Sequence, residues 1–290
     1  MTACLKCPPF QMYGGKWEMS EWIAAHLPAG QTLVLVHGGA GSPLWHISPG
    51  RYPVEVLNDV DFHVQNFFRM CREHPEELAS LLTLTPYSRR EWLENRQVIR
   101  DWDDGRHWRE ETPAPALLEL ARCWSTVARQ SMAGVWGRAW SSVVKHSRRG
   151  MASGNSRWLR LPETVLAVAA RLSSVQIECM NDLQLLERYD RPDTVFYCDP
   201  PYHPDTRSAS ARNVYAHEYT TKQHQQLVDA LMQLDGKAAV SGYDHPLYNN
   251  LLLLDRWRRS ERTVPCRSNV NNKGGTADRP TRTECLWIKE

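Results

Sequence analysis

The sequence predicts an α/β protein built on an open, mostly parallel sheet. The run Leu33-Val34-Leu35-Val36 is typical of a strand buried on both faces, and it leads directly into Gly38-Gly39-Ala40-Gly41. A second apolar run, Val54-Glu55-Val56-Leu57, ends at Asn58-Asp59. This succession of strand, glycine turn, strand and acid is typical of sheets whose ligands bind beyond the carboxyl ends of the strands.

Apolar spacing predicts the elements around these two strands. Residues 19–27 have helical spacing in Trp22, Ile23 and Leu27, and a helix after Asp59 is indicated by Val64, Phe67, Phe68 and Cys71. In the last third of the chain, helices are predicted at residues 164–172, 182–189 and 220–234, and strands at 175–177, 194–198, 237–241 and 284–288. Thr220 is the expected N-cap of its helix. Residues 269–282 are polar and bear glycine, which predicts a loop.

The composition changes near Pro86. No strand-like run occurs from Ser88 to Leu161, and seven tryptophans fall in that stretch: Trp92, Trp102, Trp108, Trp124, Trp136, Trp140 and Trp158. From Arg129 to Arg160 there are seven Lys or Arg residues and no Asp or Glu. We therefore predict an inserted, mostly helical or loop-rich lobe over residues 87–160, between two parts of one domain at 1–86 and 161–290.

The remaining composition argues against membrane and metal proteins. No apolar run reaches the roughly 18 residues that a membrane span needs, and the first residues lack the order of a signal peptide. The eight cysteines are scattered, and only Cys4 and Cys7 have the spacing of metal ligands, without a second pair. We expect no metal, and reduced thiols in a cytoplasmic protein.

The tetrapeptide Asp199-Pro200-Pro201-Tyr202 follows the predicted strand at 194–198 directly. An aromatic amine is a poor nucleophile, because its lone pair is delocalised into the ring. A carboxylate and a carbonyl that accept both amine hydrogens favour a pyramidal, reactive nitrogen, and consecutive prolines present such a carbonyl rigidly. The tyrosine offers a flat face for an extruded base. A rigid turn with a surface tyrosine is the plainer interpretation of the tetrapeptide taken alone.

Other segments indicate a nucleoside ligand and a nucleic acid. Glycines at 38, 39 and 41 let the backbone approach a ligand, and an acid in the place of Asp59 commonly binds ribose hydroxyls. The chain has no GxxxxGK[ST] phosphate loop and matches GxGxxG poorly, which fits S-adenosylmethionine, a ligand with ribose but no phosphate. The basic stretch from Arg129 to Arg160 suits phosphate contacts, and its tryptophans suit either base contacts or a small core.

Together these residues resemble the Dam-type DNA adenine N6-methyltransferases, especially the branch common in phages and prophages. Tyr13-Gly14-Gly15-Lys16 is similar to the family's GGK element, Gly38 to Ser42 to its cofactor loop, and Asn58-Asp59 to its "ND". Asp199 to Tyr202 resembles the catalytic DPPY motif. Further similar blocks follow the family's order: 171–178 with Asp182 as a cofactor-contacting acid, 215–218, 241–244, 247–248 and 282–287.

The resemblance implies a Rossmann-like S-adenosylmethionine-dependent methyltransferase sheet with an inserted, mainly helical DNA-recognition lobe. It implies that the Asp199 side chain and the Pro200 carbonyl hold N6 of a flipped adenine that stacks on Tyr202 beside Pro201. The expected cofactor residues are Tyr13, Gly14, Gly15, Lys16, His37, Gly38, Gly39, Gly41, Asp59 and Asp182. The expected contacts to double-stranded DNA are Arg129, Arg138, Lys145, Arg148, Arg149 and Arg157. The loop at residues 203–213 is expected to close over the base.

The chain departs from the family at one place. Where the family usually has acid-Pro-Phe before its glycines, this chain has Leu35, Val36 and His37. One alternative is therefore a DNA-binding homologue with impaired catalysis, and another is methylation of cytosine N4, which uses the same amine chemistry. Protein glutamine methylation is disfavoured by Asp199 and the basic lobe. We expect a monomer in the cytoplasm of a bacterial cell, encoded by a phage or prophage gene, with a restriction endonuclease as a candidate partner.

Overall fold

The computed structural model describes residues 5–105, 112–143, 147–207, 214–265 and 281–290. Its central sheet has the strand order β5-β2-β1-β6-β7-β9-β8. The strands are β1 (Thr32–Leu35), β2 (Val54–Asn58), β5 (Val175–Glu178), β6 (Thr194–Cys198), β7 (Lys237–Gly242), β8 (Trp257–Pro265) and β9 (Thr281–Lys289). The five strands β5, β2, β1, β6 and β7 pair in parallel, and β9 runs antiparallel to both of its neighbours, β7 and β8. The predicted mostly parallel α/β sheet is confirmed.

Strand β1 explains why its sequence is continuously apolar. Leu33 and Leu35 pack into one layer of the core, while Val34 and Val36 pack into the layer on the opposite face. Successive side chains of a strand point to opposite faces, so a strand covered by helices on both sides needs apolar residues at every position. Strand order reverses at β1, which pairs with β2 on one side and β6 on the other. A crevice for a ligand is expected at such a point.

The helices cover both faces of the sheet. They are α1 (Ser20–His26), α2 (Phe62–Glu73), α3 (Pro75–Leu84), α4 (Arg89–Gly105), α5 (Ala114–Gln130), α6 (Ser153–Trp158), α7 (Leu161–Leu172), α8 (Asp182–Tyr189), α9 (Thr221–Gln233) and the single turn α10 (Pro246–Asn249). Thr220 caps α9 as predicted, in a capping box with Gln223. None of these helices has the length and apolar content that crossing a bilayer requires, within the described part of the chain.

The insertion is mainly helical, but α5 belongs to the main core. Trp124 packs against Phe10 and Phe67, at ring-centroid distances of 4.8 and 5.8 Å. Trp92 and Trp158 are buried as well. These three tryptophans are therefore packing residues, while Trp108 lies outside the described residues. The division at residues 86 and 160 remains a prediction, although α7 does begin at Leu161.

Three strands were missed by the sequence analysis. Contrary to the expectation of no strand in the insertion, β3 (Ser147–Arg148) and β4 (Met151–Ala152) form a short hairpin. Arg149 and Gly150 both have positive φ, 56° and 72°, as a two-residue hairpin turn requires. The hairpin was missed because two exposed residues per strand carry no apolar alternation. Strand β8 is a charged edge strand, and charge at an edge protects the sheet from further pairing.

A buried ion pair attaches α7 to β2. The Arg171 guanidinium donates to both carboxylate oxygens of Glu55, at 2.7 and 2.6 Å, and a third, longer bond reaches the Leu44 carbonyl. Arg171 and Glu55 are 6% and 3% exposed, respectively. A bidentate pair of this kind fixes the angle between two planar groups as well as their distance. It therefore sets the position of α7 beside the strand that ends at Asn58-Asp59.

Candidate active site

A cleft of about 260 Å³ opens at the carboxyl ends of β2, β1 and β6. Its walls come from the segments that follow these strands and from the N-terminal turn. The predicted site residues that line it are Tyr13, Gly14, Gly15, Lys16, His37, Gly38, Gly39, Asp59, Asp182, Asp199, Pro200 and Pro201. Two predicted catalytic or cofactor residues do not line the cleft. Gly41 lies against the Trp45 ring, and Tyr202 lies beneath the Lys16 ammonium. Most of the predicted site is thus brought together in one place.

The glycine turn fits closely against β2. The Gly38 amide donates to the Asn58 carbonyl at 2.7 Å, and a Cβ on Gly38 would come within 2.5 Å of that oxygen. Gly39 has a φ of 49°, and its amide donates to Asp59 Oδ2 at 2.7 Å. Gly41 has a φ of 67° and lies against the Trp45 ring. The first two glycines therefore shape the cleft wall, and the third serves the turn.

Asp59 is held at the end of β2 by two backbone amides. Its Oδ2 accepts from Gly39, and its Oδ1 accepts from the Asp61 amide at 2.9 Å. Burial, together with the neighbouring Asp61 charge, raises the pKa of Asp59 to about 6. Each carboxylate oxygen retains a further lone pair, so Asp59 can still accept from a ligand hydroxyl.

His37, Tyr219 and Asp182 form a hydrogen-bonded cluster on the cleft wall. The Tyr219 hydroxyl donates to Asp182 Oδ2, and the same hydroxyl lies 2.9 Å from His37 Nε2. Because its single proton goes to Asp182, this hydroxyl accepts from Nε2–H, which makes Nδ1 an acceptor in the neutral ring. Nδ1 is buried and has no hydrogen-bond partner among the described residues. Burial alone would raise the pKa of Asp182, but the interactions with His37 and Tyr219 bring it below its ordinary value.

This cluster occupies the place where the chain departs from the family that it resembles. Leu35 and Val36 are each 1% exposed and pack in opposite layers of the core. His37 lines the cleft, and Val36 borders it. The sequence analysis did not identify Tyr219 as a site residue. Its position directly after the family-like block 215–218 was the available signal. The polar groups at this end of the cleft therefore come from α8 and from the segment before α9.

Asp199 forms an ion pair with Lys16. The Lys16 ammonium lies 3.0 Å from Asp199 Oδ1 and donates to the Gly14 carbonyl at 2.6 Å. Burial raises the pKa of Asp199, and the Lys16 charge opposes that rise. Burial by itself would lower the pKa of Lys16, but the charges of Asp199 and Glu284 outweigh it and raise that pKa. The lysine is 6% exposed, so the solvated lysine suggested by the motif alone is not what the structure contains.

Tyr202 is buried at 6% exposure, directly beneath Lys16. The Lys16 ammonium lies 4.5 Å from the centroid of its ring, and the Tyr243 ring contacts it at 4.6 Å. Its hydroxyl donates to Glu284 Oε2 at 2.5 Å. The expected stacking of a base on Tyr202 therefore requires that Lys16 move away. Glu284 was noted in the sequence only as part of a family-like block, without a role.

The predicted DNA contacts fall into three groups. Arg138, Arg148, Arg149 and Arg157 are exposed, and two of them sit on the β3–β4 hairpin. Arg129 is half-buried in the last turn of α5, where burial lowers the pKa of its guanidinium. As placed, Arg129 does not present its charge to solvent, because two of its nitrogens are buried. Lys145 lies outside the described residues.

The segment after Tyr202 is tied to the cleft. The Arg207 guanidinium donates to both Glu218 oxygens at 2.7 and 3.1 Å, and Glu218 also accepts from the amides of Val214 and Tyr215. The remainder of the predicted closing loop, residues 208–213, lies outside the described residues, and so do Cys4 and most of the predicted loop at 269–282. Tyr215 through Tyr219 line the cleft, so this segment forms one of its walls.

A group of potential metal ligands lies behind Tyr202. His203, Asp205 and His245 place a ligand atom each within 4.8 Å of one another. Nδ1 of His203 accepts from the Asp205 amide, and Nδ1 of His245 accepts from the Leu247 amide. Each neutral ring therefore carries its proton on Nε2, which leaves no free lone pair for a metal. The arrangement is that of a hydrogen-bonded structural cluster.

A second cavity of about 550 Å³ adjoins the cleft between α2 and the helices of the insertion. Its wall is rich in aromatic side chains, and Phe62 and Trp102 lie nearly parallel at 6.4 Å. Met12, Tyr13 and the segment 215–217 separate it from the cleft, because they line both cavities.

Comparison with known proteins agrees with this geometry. The family model of the D12 class N6 adenine-specific DNA methyltransferases matches residues 13–256. The chain is 24% identical over 233 residues to the DNA N-6-adenine-methyltransferase of Escherichia phage P1, a match that covers 79% of this chain but 28% of that protein. It is 22% identical over 272 residues to the DNA adenine methylase of Escherichia coli K12, covering 91% and 88% of the two chains. It is 23% identical to the DNA adenine methylase of Vibrio cholerae O395, covering 74% and 72%.

The family match begins at Tyr13, the first residue of the N-terminal turn, and includes the glycine turn, Asp59, Asp182 and the Asp199 tetrapeptide. It therefore spans nearly all the segments that form the cleft. The chain belongs to the D12 class N6 adenine-specific DNA methyltransferases.

Proposed function

We propose that this protein transfers a methyl group from S-adenosylmethionine to N6 of a flipped-out adenine in double-stranded DNA. The observation that supports this most directly is that Asp199 and Pro200 face the same cleft as the glycine turn, Asp59 and Asp182. An acceptor pair for an amine thus lies beside acceptors for a nucleoside. The neighbourhood of the two sets matters, because a transfer reaction requires donor and acceptor in one space.

The cleft residues fit S-adenosylmethionine chemically. Asp59 offers lone pairs to ribose hydroxyls, and Gly38 and Gly39 line the cleft without side chains of their own. His37 Nδ1 is a buried nitrogen that lacks a hydrogen-bond partner among the described residues, and the pKa of the nearby Asp182 is below its ordinary value. When bound, S-adenosylmethionine supplies an electrophilic methyl group on a sulfonium. Tyr13, Gly14 and Gly15 form the opposite wall in this proposal.

Asp199 and Pro200 act on the adenine amine. The carboxylate and the proline carbonyl each accept one N6 hydrogen, which draws the nitrogen lone pair out of conjugation with the ring. Pro200 is buried and Pro201 lines the cleft, so the fixed φ of both holds that carbonyl in one direction. The carboxylate stabilises the positive charge that develops on N6 and accepts the proton that leaves it.

The exposed arginines of the insertion bind the DNA backbone in this proposal. Arg138, Arg148, Arg149 and Arg157 place positive charge around the short hairpin, and this stretch contains no acid to cancel it. Contacts of this kind position the duplex without reading its sequence. The expected restriction endonuclease partner and the monomeric state remain predictions.

Replacement of Asp199 by Ala tests the proposal. We expect methyl transfer to fall by at least about a thousandfold, because the amine loses its charged acceptor, while calorimetry still detects S-adenosylmethionine binding. Asp229→Ala, at an exposed site on α9, is the matched control and should remain active. Full activity of Asp199→Ala would contradict the assigned role.

Two measurements separate the alternatives. Mass spectrometry of nucleosides from treated DNA distinguishes N6-methyladenine from N4-methylcytosine. Calorimetry with S-adenosylmethionine, with and without DNA, addresses the non-enzyme alternative raised by Leu35 and His37: no binding in either condition would favour it. Single-molecule sequencing of DNA from expressing cells then identifies the methylated sequence.

A further inference from the structure

Lys16 makes the contacts that the target base needs. Its ammonium lies 3.0 Å from Asp199 Oδ1 and 4.5 Å from the centroid of the Tyr202 ring. The proposed function assigns these same two groups to the adenine, with the amine on the carboxylate and the purine on the ring. The Lys16 ammonium and the adenine amine are both N–H donors toward the same buried carboxylate oxygen of Asp199. The lysine and the base therefore compete for one position.

The N-terminal turn is built to hold the lysine there. Gly14 has a φ of 77°, and its carbonyl accepts from the Lys16 ammonium at 2.6 Å. A Cβ at Gly14 would come within 2.6 Å of the Tyr215 hydroxyl. Only glycine combines this backbone conformation with this close approach, so the turn brings Lys16 over Tyr202 without obstruction.

The lysine also balances two buried carboxylates. Glu284 is 8% exposed and accepts the 2.5 Å hydrogen bond from the Tyr202 hydroxyl. Burial raises the pKa of both Glu284 and Asp199, and Lys16 opposes the rise in each. Without a cation, an empty site would favour the protonated carboxyl of Asp199, which lacks the charge that stabilises a positive N6 and cannot take up the proton that leaves it.

We propose that Lys16 is a placeholder for the target amine: it neutralises Asp199 and covers Tyr202 in the DNA-free enzyme, and it withdraws when the base enters. This inference rests on the proposed function. Withdrawal also suits the chemistry, because N6 becomes positively charged as the new bond forms and an ammonium on the same carboxylate would repel that charge. Glu284 remains as a nearby carboxylate for the displaced lysine.

Nuclear magnetic resonance of the lysine ammonium groups tests the displacement directly. The signal of Lys16 is assigned by its loss in Lys16→Met, and it should be protected from exchange in the free protein. A duplex that carries the recognised sequence with its target adenine unmethylated should shift the Lys16 signal or abolish its protection. A duplex with an abasic nucleotide in place of the target adenine should leave it as in the free protein.

Fluorescence anisotropy on the same samples measures DNA binding, and so distinguishes a failure of the proposed function from a failure of the placeholder inference. If neither duplex binds, the proposed function fails. If both bind and the Lys16 signal changes with neither or with both, the placeholder inference is wrong, because the change must depend on the base itself.

A second test follows the charge. In Lys16→Met, the acid limb of the pH profile of kcat/KM for DNA, which reports the groups of the DNA-free enzyme, should move to higher pH by on the order of one unit, since Asp199 has lost its nearest cation. Lys16→Arg keeps the charge and should keep the acid limb near that of the wild type. Lys222→Met, at an exposed site on α9, is the control. An unchanged acid limb in Lys16→Met would overturn the inference.

The other titratable groups around Asp199 remain in every variant: His37, Tyr197, Tyr202, Tyr215 and Glu284. A shift that appears in Lys16→Met and not in Lys16→Arg therefore reports the lysine charge.

Discussion

The protonation state of Asp59 connects single-residue chemistry to ligand binding. Its pKa is raised to about 6, so the ligand-free fold favours the protonated carboxyl. The contribution of the protonated Asp59 to the free energy of unfolding is complete below about pH 4, the pKa in the unfolded chain, and is lost as the pH rises through about 6. The affinity for a ligand should change with pH in the opposite direction, because a ribose hydroxyl and two backbone amides all need the ionised carboxylate as an acceptor at this position.

We expect the affinity for S-adenosylmethionine to fall as the pH is lowered through about 6. Asp59→Asn should bind about tenfold to a hundredfold more weakly at pH 8, the range expected for loss of a hydrogen bond to a charged group. It should also lack this pH dependence. Calorimetry from about pH 5 to about pH 8, which extends about one unit below and about two units above the raised pKa of Asp59, measures both effects. An affinity of Asp59→Asn equal to that of the wild type would exclude Asp59 from the cofactor site.

The residues that sequence reasoning missed share one property. Asp199, Asp59 and the glycines were predictable because each follows a recognisable strand. Tyr219 and Glu284 were not, because they reach the site through hydrogen bonds to Asp182 and Tyr202 that depend on the packing of distant segments. Motif spacing predicts which residues stand at strand ends, but not which side chains converge on them.

At the scale of elements, the Arg171–Glu55 pair should contribute strongly to stability. Glu55→Gln leaves the guanidinium buried without its charge partner, and we expect a loss of about 3–5 kcal/mol in the free energy of unfolding. The double variant Glu55→Leu, Arg171→Met should recover much of that loss, because two apolar groups need no partner. Urea unfolding followed by circular dichroism measures both. A loss below about 1 kcal/mol for Glu55→Gln would show that the pair is replaceable by solvent.

The arginines on the β3–β4 hairpin and α6 are expected to affect DNA binding differently from the arginine on α5. Arg148→Gln and Arg157→Gln should each weaken binding and reduce the slope of log affinity against log salt by about one. Arg129→Gln should leave that slope unchanged, because its guanidinium is half-buried and two of its nitrogens are shielded from solvent. Anisotropy titrations at several salt concentrations provide the slopes. A reduced slope in Arg129→Gln and not in the other two would reverse the assignment.

At the scale of the whole molecule, the sheet and the positions of its ligand residues were predictable, and the relation of the insertion to the rest was less so. The sequence pattern identified the five parallel strands β1, β2, β5, β6 and β7 and the last part of β9 from their apolar and β-branched residues. It missed β8 and the small hairpin, whose exposed, charged residues lack that signature. The tryptophans of the insertion were open to two interpretations, and Trp124 joins the core while Trp102 lines a cavity.

The position of Trp124 has a consequence for how specificity can change among related proteins. Its ring contacts Phe10 and Phe67, so α5, which lies in the segment that we propose recognises the target, also completes the main core. A segment with that double duty cannot be exchanged as an independent cassette, because its removal would leave a hole lined by phenylalanines. New sequence preferences should therefore arise by substitutions on the outer surface of the insertion, around the hairpin, and a chimera would have to carry the matching faces of α2 and the N-terminal segment along with it.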